Sequence, residues 1–235
     1  FITNADQDHL DDLNGLWEAD INVKSITRSR GISAEDLRKI KMETARNTGL
    51  GEDIERYLSI HQSYNSPVTE PFNDHMGGVT FKSFYNKYPD EKTTNNLSMA
   101  VFFNFEGYKI LFPGDLERSG WLRLLQRKDF RDELDTTTVL VASHHGRNSG
   151  YVEEVFQQTE LHRFWQPACV VMSDKSLEHG TQEGMAQKYA NRCSDEGVTT
   201  EGGHQRWVLT TRADGWIQFR VKSGGYYTVH VEHDH

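Results

Sequence analysis

The chain has 235 residues, 36% hydrophobic and 26% charged, with five Trp and a formal net charge of −9. That length and composition describe one globular domain with a sizeable core, and no run reaches the ~18 apolar residues of a membrane span, so no membrane contact and a cytoplasmic location are expected of this segment. The negative balance excludes coating nucleic acid through a broad basic face, though not meeting a phosphate through metal ions and a few local arginines, and two cysteines, Cys169 and Cys193, exclude a disulfide framework.

Phe1-Ile2-Thr3 reads as the end of a β-strand entering a carboxylate-rich turn, with no start methionine, so the natural protein is expected to continue upstream. From Asp8 the pattern is helical, with Leu10, Leu13, Leu16 and Trp17 along one face. A second helix is predicted from Ser33, where Ser33-Ala34-Glu35-Asp36 resembles a capping box, through Leu37, Ile40 and Met42 to the break at Gly49 and Gly51. A third covers 53–61, and 63–78 is irregular. Together they form a helical insertion around 21–78 within a single domain, 1–235. Its Arg28, Arg30, Arg38, Lys39, Lys41 and Arg46 read as a lid or nucleic-acid arm, or as a solvated face; the interspersed acids favour the second.

Strands follow. Residues 79–84 alternate, 98–105 are a buried run, and Glu106-Gly107 turns the chain into 108–112, which predicts a hairpin. Pro113-Gly114-Asp115 ends that strand. A helix is expected over 119–127, a short buried strand over 139–142, a helix beginning at 151–156, a strand over 169–173 and a helix over 181–193. A closing hairpin is expected from 207–211 and 216–221 around Ala213-Asp214-Gly215. Trp207, Trp216, Tyr226 and Tyr227 read as hairpin packing rather than base stacking, and His230, His233 and His235 as a solvated tail. Strands alternating with helices, with polar clusters after the strands, indicate a layered α/β architecture with its chemistry at strand ends.

Those clusters carry the functional signal. Thr3-Asn4-Ala5-Asp6-Gln7-Asp8-His9 packs carboxylates, an amide and an imidazole into one turn, a density suited to a divalent metal; the alternative is helix capping by Asp6 or Asp8. Asp115 follows a buried strand and serves either a metal or the turn. In Ser143-His144-His145-Gly146, two adjacent imidazoles at a strand terminus seldom serve packing. His179, in Glu178-His179-Gly180, is either a site imidazole or a surface loop residue.

Asn4-Ala5-Asp6-Gln7-Asp8-His9 is similar to the metal motif of metallo-β-lactamase-fold hydrolases, in the His-x-Asp-x-Asp-His form of the hydrolase domain of ComEC-type competence proteins and of phosphorylcholine esterases. Asn96-Leu97-Ser98, Phe112-Pro113-Gly114-Asp115, Ser143-His144-His145-Gly146 and His179-Gly180 follow as that family's later motifs do, and 210–215 looks like its closing hairpin. The resemblance implies an αββα sandwich, here lacking its first strands, which a partner domain or chain would supply. It also implies one or two divalent ions, zinc or manganese with magnesium as a further candidate. One ion would be held by Asp8, His9, Asp115 and one of the histidine pair, with His145 favoured, and Asp115 would bridge to a second ion near Asp6 and Asn4. His144 would either stand behind the metal ligands or donate a proton to the leaving oxygen, and His179 would bind the substrate phosphate or polarise it. The sequence departs from the pattern at Asn4, where the family has histidine, and at Asn95-Asn96, where some relatives have another.

Three functions follow. The first is metal-dependent hydrolysis of phosphodiesters, DNA among them, with Arg118, Arg147 and Lys175 near the motifs. The second is hydrolysis of an ester, lactone or amide, and the third is a binding or assembly module whose site has decayed.

Overall fold

The computed structural model describes residues 1–45, 49–66, 77–158, 163–174 and 184–234. The apolar runs build one six-stranded sheet. Strands β1 (Thr80–Tyr85), β2 (Met99–Phe105) and β3 (Tyr108–Phe112) form an antiparallel meander. From β3 the sheet continues in parallel through β4 (Val139–Val141), β5 (Cys169–Met172) and β6 (Val208–Thr210). The fold is therefore α/β, with a mixed sheet parallel over its second half.

Alternation along these strands sorts side chains between two layers. Leu111, Leu140, Val170 and Met172 face helices, meeting Trp121 and Leu124 of α5 (Arg118–Leu125) and Phe130 and Leu134 of α6 (Lys128–Leu134). Tyr108, Val139, Cys169 and Leu209 face the other way, against Val198 and Val229. Val229 belongs to a second, smaller sheet, the hairpin of β7 (Ile217–Val221) with β8 (Tyr227–Val231). A bridge from Thr200 to Val229 adjoins that hairpin to the short 198–199/205–206 ladder. Burial on both faces explains why the run in β2 is nearly continuous.

A separate cluster, with Leu10, Leu13, Leu37, Tyr57, Leu58 and Leu97, joins the four N-terminal helices α1 (Gln7–Leu10), α2 (Leu13–Glu18), α3 (Ala34–Thr44) and α4 (Glu52–Ser63). Ser33 caps α3, its hydroxyl accepting from the Asp36 N–H at 3.0 Å.

The structure departs from the sequence expectations in five places. The helix from Asp8 is two pieces, because Asp12 takes a left-handed φ of 65° and resets the phase; Leu16 is left exposed while Leu10 and Leu13 are buried. Phe1-Ile2-Thr3 forms a single parallel bridge, Ile2 to Arg28, instead of a strand end. The closing hairpin over 207–221 does not form. Residues 211–214 make one helical turn whose Asp214 carboxylate accepts from the Thr210 N–H at 2.6 Å, so β6 pairs back with β5 while β7 pairs forward with β8. The chain end is also no solvated tail through His230, which lies in β8 and ion-pairs with Glu201; His235 lies outside the described residues. Of the late aromatics, Tyr227 packs on Tyr108 with ring centroids 4.5 Å apart, whereas Trp216 and Tyr226 are exposed.

One charged pair fastens helix to sheet. Lys109 of β3 is buried, and its ammonium bonds the Glu133 carboxylate of α6 and Thr136 Oγ1. Burial pushes the Glu133 pKa up, but Lys109 and Lys82 outweigh it and hold the carboxyl below its usual value. A depressed folded pKa gives stability that is present above the unfolded carboxylate value and lost as pH falls through the folded one. Glu133→Gln is therefore expected to cost about 1–2 kcal/mol at pH 7 and to flatten the wild-type loss of stability below about pH 4.5. Urea midpoints at pH 7 and pH 3.5 check both.

Candidate metal centre

Two turns at the C-terminal ends of neighbouring parallel strands, and the turn opening α1, bring the motif residues together. After β3, Gly114 has φ 62°, and a Cβ there would stand 2.9 Å from Thr3 Cβ and 3.0 Å from Ser98 Cβ. Only glycine lets this turn close against the N-terminal segment. Asp115 then donates its N–H to Ser98 Oγ at 3.1 Å and has a buried side chain. After β4, the Ser143 hydroxyl lies 3.0 Å from the Gly114 carbonyl and 2.6 Å from that of Leu116, and the His144 N–H donates to the Gly114 carbonyl at 3.1 Å. These bonds lock the two turns into one unit.

His144 and His145 both have left-handed backbones, φ 51° and 56°. Such conformations cost of order 1–3 kcal/mol each outside glycine and persist where the surroundings over-determine them. Here they separate the two rings. His145 turns toward Asp8, with Nε2 2.9 Å from Asp8 Oδ2 and 3.9 Å from Asp115 Oδ1. His144 turns away, with Nδ1 3.0 Å from Ser149 Oγ and 3.4 Å from Glu117 Oε1, and Nε2 accepting from Arg147 at 3.2 Å.

On the opposite side, His9 Nε2 lies 3.1 Å from Asp115 Oδ2 and 3.8 Å from Asp8 Oδ2. The donor atoms of Asp8, His9, Asp115 and His145 all fall within 4.8 Å of one another. Their tautomers follow from their outer partners. His145 Nδ1 is 3.1 Å from the Ser173 carbonyl, which only accepts, so Nδ1 carries the proton. The Thr3 hydroxyl donates to Asn4 Oδ1 and is left to accept from His9 Nδ1, each at 3.1 Å. Both rings therefore turn Nε2 toward the two carboxylates. Among the described residues, the buried His9 Nε2 has no partner in hydrogen-bonding geometry, although Asp115 is close. A nitrogen lone pair left so, opposite two carboxylates, suits a divalent cation.

The electrostatics agree. Burial, the largest influence, pulls the His9 pKa down, but the hydrogen-bonding approach of Asp115 and the charges of Asp115, Asp8 and Asp6 together hold it above the ordinary value. Burial pushes Asp115 up, and His9, His144 and His145 overcome it to hold the carboxyl below its usual range. The pocket favours negative carboxylates with positive charge among them.

The other residues named from sequence go elsewhere. Asp6 has the backbone of an N-cap but makes no side-chain cap bond. Its oxygens take the Lys41 ammonium, Thr94 Oγ1 at 2.8 Å and the Asn4 amide at 3.1 Å. Asn4 is buried between Thr3 and Asp6. Asn96 caps α5, its Oδ1 accepting from the Glu117 and Gly120 N–H groups, each at 3.0 Å. Arg118 is engaged in a two-pronged ion pair with Glu154. His179 and Lys175 lie outside the described residues. Sequence reading gave no role at this centre to Thr3, Lys41, Thr94 or the Ser173 carbonyl. Thr3 and Ser173 sit beside motifs, a usable signal; Lys41, 35 residues from Asp6, offers none.

No family model matches the chain, and no curated protein matches it.

Proposed function

We propose that Asp8, His9, Asp115 and His145 hold one divalent cation, zinc or manganese, and that the protein is a metal-dependent hydrolase of phosphodiesters. The observation that carries this is the convergence of two imidazole Nε2 atoms on two carboxylates, one nitrogen buried and without a hydrogen-bond partner among the described residues. A helix layer, a central sheet and a second sheet, with the cluster at strand C-termini, accord with the metallo-β-lactamase-like sandwich implied by the sequence resemblance.

One ion is favoured over two because the carboxylate of Asp6 is already neutralised by a buried ammonium. A second cation beside Asp6 would meet the Lys41 charge. When bound, the single ion lowers the pKa of a coordinated water toward neutrality and offsets charge on phosphoryl oxygens.

The chain's own groups supply the rest. Asp115, buried and tied to Ser98, fixes the inner wall. Asp8 is the more exposed carboxylate, 37% against 5% for Asp115, and is placed to take a proton from the attacking water. Arg147, held against His144, forms a cationic edge next to the histidine pair and would meet the anionic substrate. His144 orients that edge, its Nε2 accepting from Arg147, and His179 remains the further imidazole proposed for phosphate.

Elemental analysis of the purified protein is expected to give one zinc or manganese per chain. Nicking of supercoiled plasmid should require that ion, stop on chelation and return on re-addition. Metal uptake without cleavage of any phosphodiester would leave a binding module instead, and absence of metal uptake would remove the reading altogether.

A further inference from the structure

A second site of different character lies beside β1, the terminal strand of the six-stranded sheet among the described residues. There a cleft of about 550 Å³ opens between the segment around Lys24–Arg30, the end of α4 and one face of β1. Phe81, Ser83 and Tyr85, alternate residues of β1, line it from one side, and Lys24, Arg28 and Arg30 from the other. In a chain of net charge −9, the described residues lining this cleft include three cations and several hydroxyls and no carboxylate.

Arg28 is the informative residue. It is 5% exposed, yet among the described residues its guanidinium bonds only neutral groups. Nε donates to His61 Nδ1 at 2.9 Å, Nη2 to the His61 carbonyl at 2.8 Å and to Asn65 Oδ1 at 3.4 Å, and Nη1 to the Tyr64 carbonyl at 3.1 Å. His61 is no counter-ion, because its Nε2 lies 2.9 Å from the Ile32 carbonyl and so carries the proton, leaving Nδ1 to accept. Burial lowers the pKa of both Arg28 and His61, and the charge of Arg30 lowers each further, as expected where positive charge has accumulated without compensation. Four of the five guanidinium N–H groups are used by these bonds, which leaves one on Nη1 for a ligand. A buried charge with no counter-ion is unfavourable unless something of opposite sign completes it.

We infer that this cleft seats the phosphate of a small phosphorylated ligand, with Lys24, Arg28 and Arg30 as its cationic wall. Multiple hydrogen-bond donors with fixed charge favour a polyvalent oxyanion over a carboxylate. The volume exceeds what the oxyanion needs, and Ile26 and Phe81 give the remaining space an apolar side. Ser83 pairs across β2 with Val101, which pairs with Phe112, so the cleft lies at the level of the sheet from which Asp115 emerges. At strand spacings of about 4.8 Å, two strands separate them by roughly 10 Å. The two sites share no residue, and this inference does not rest on the metal reading.

The test is calorimetric titration of inorganic pyrophosphate into the whole chain at low ionic strength, comparing wild type, the Lys24→Gln/Arg30→Gln double variant and Asp115→Asn. Lys24 and Arg30 are exposed and form no ion pair among the described residues, so their replacement leaves the fold intact, which circular dichroism verifies. Wild type and Asp115→Asn are expected to bind alike, and the double variant about 100-fold more weakly, tenfold for each cation removed. Absence of wild-type binding at millimolar pyrophosphate overturns the inference, as does equal binding by the double variant. Binding kept by the double variant and abolished in Asp115→Asn would place the oxyanion at the metal centre and equally overturn it.

Discussion

Replacing Asp115 by Asn is expected to lower affinity for manganese or zinc by about 100-fold or more, since even loss of a group that only orients a ligand costs 10–100-fold. Metal-dependent phosphodiester cleavage should fall by about 10³-fold, equivalent to roughly 4 kcal/mol. Asp115 is the side chain on which the centre depends most. It is the buried carboxylate, and it faces both imidazoles, at 3.1 Å from His9 and 3.9 Å from His145. Its amide analogue keeps the shape, so the turn held by Gly114 and Ser98 survives. Chelator-competition titration reads the affinity, and undiminished uptake by the variant would sink the ligand assignment.

The same titration has a pH signature. A cation must displace the proton that the carboxylates favour on His9, so affinity should fall as pH drops through the raised His9 value.

Asp6→Ala is expected to act on stability first, by about 2–3 kcal/mol, because it leaves the Lys41 ammonium buried without a counter-ion. The lower end of the range for breaking a buried pair applies, as Asp6 itself is 25% exposed. Metal affinity should fall by no more than about tenfold, through the hydrogen-bonded chain Lys41–Asp6–Asn4–Thr3–His9 that sets the His9 ring. Joint replacement, Asp6→Leu with Lys41→Met, should recover much of the lost stability, since an apolar pair of similar volume replaces a desolvated ionic one. Denaturant midpoints and metal titration separate the two effects. If Asp6→Ala loses metal as severely as Asp115→Asn while its midpoint stays unchanged, Asp6 is a ligand and the single-ion centre is wrong.

Legibility followed the range of the interaction. The Ser33 cap with the helix after it and the 99–112 hairpin were readable because capping, alternation and a Glu-Gly turn act within a few residues. The closing hairpin was misread for the same reason. Two alternating runs flanking Asp214-Gly215 look like a hairpin locally, but Asp214 bonds the Thr210 N–H and closes a helical turn, and β6 finds its neighbour in β5. In the candidate site, Asp6 and Asp8 looked equivalent in one turn. Asp6 meets Lys41 and Thr94, 35 and 88 residues away, and Asp8 meets His145, 137 residues away.

By itself, the sequence determined the chemistry available: carboxylates and imidazoles in tight turns after or before apolar runs, with glycine where a side chain would block closure. It also determined that strands and helices alternate in a layered α/β chain, because side-chain period is a local property of the backbone. Only tertiary structure decided which of two adjacent histidines faces Asp8, that a lysine from a distant helix occupies Asp6, and that a cationic cleft forms at the sheet edge. Those outcomes depend on which distant groups share a low-dielectric space, and periodicity states which face a residue takes without naming its neighbour across that space.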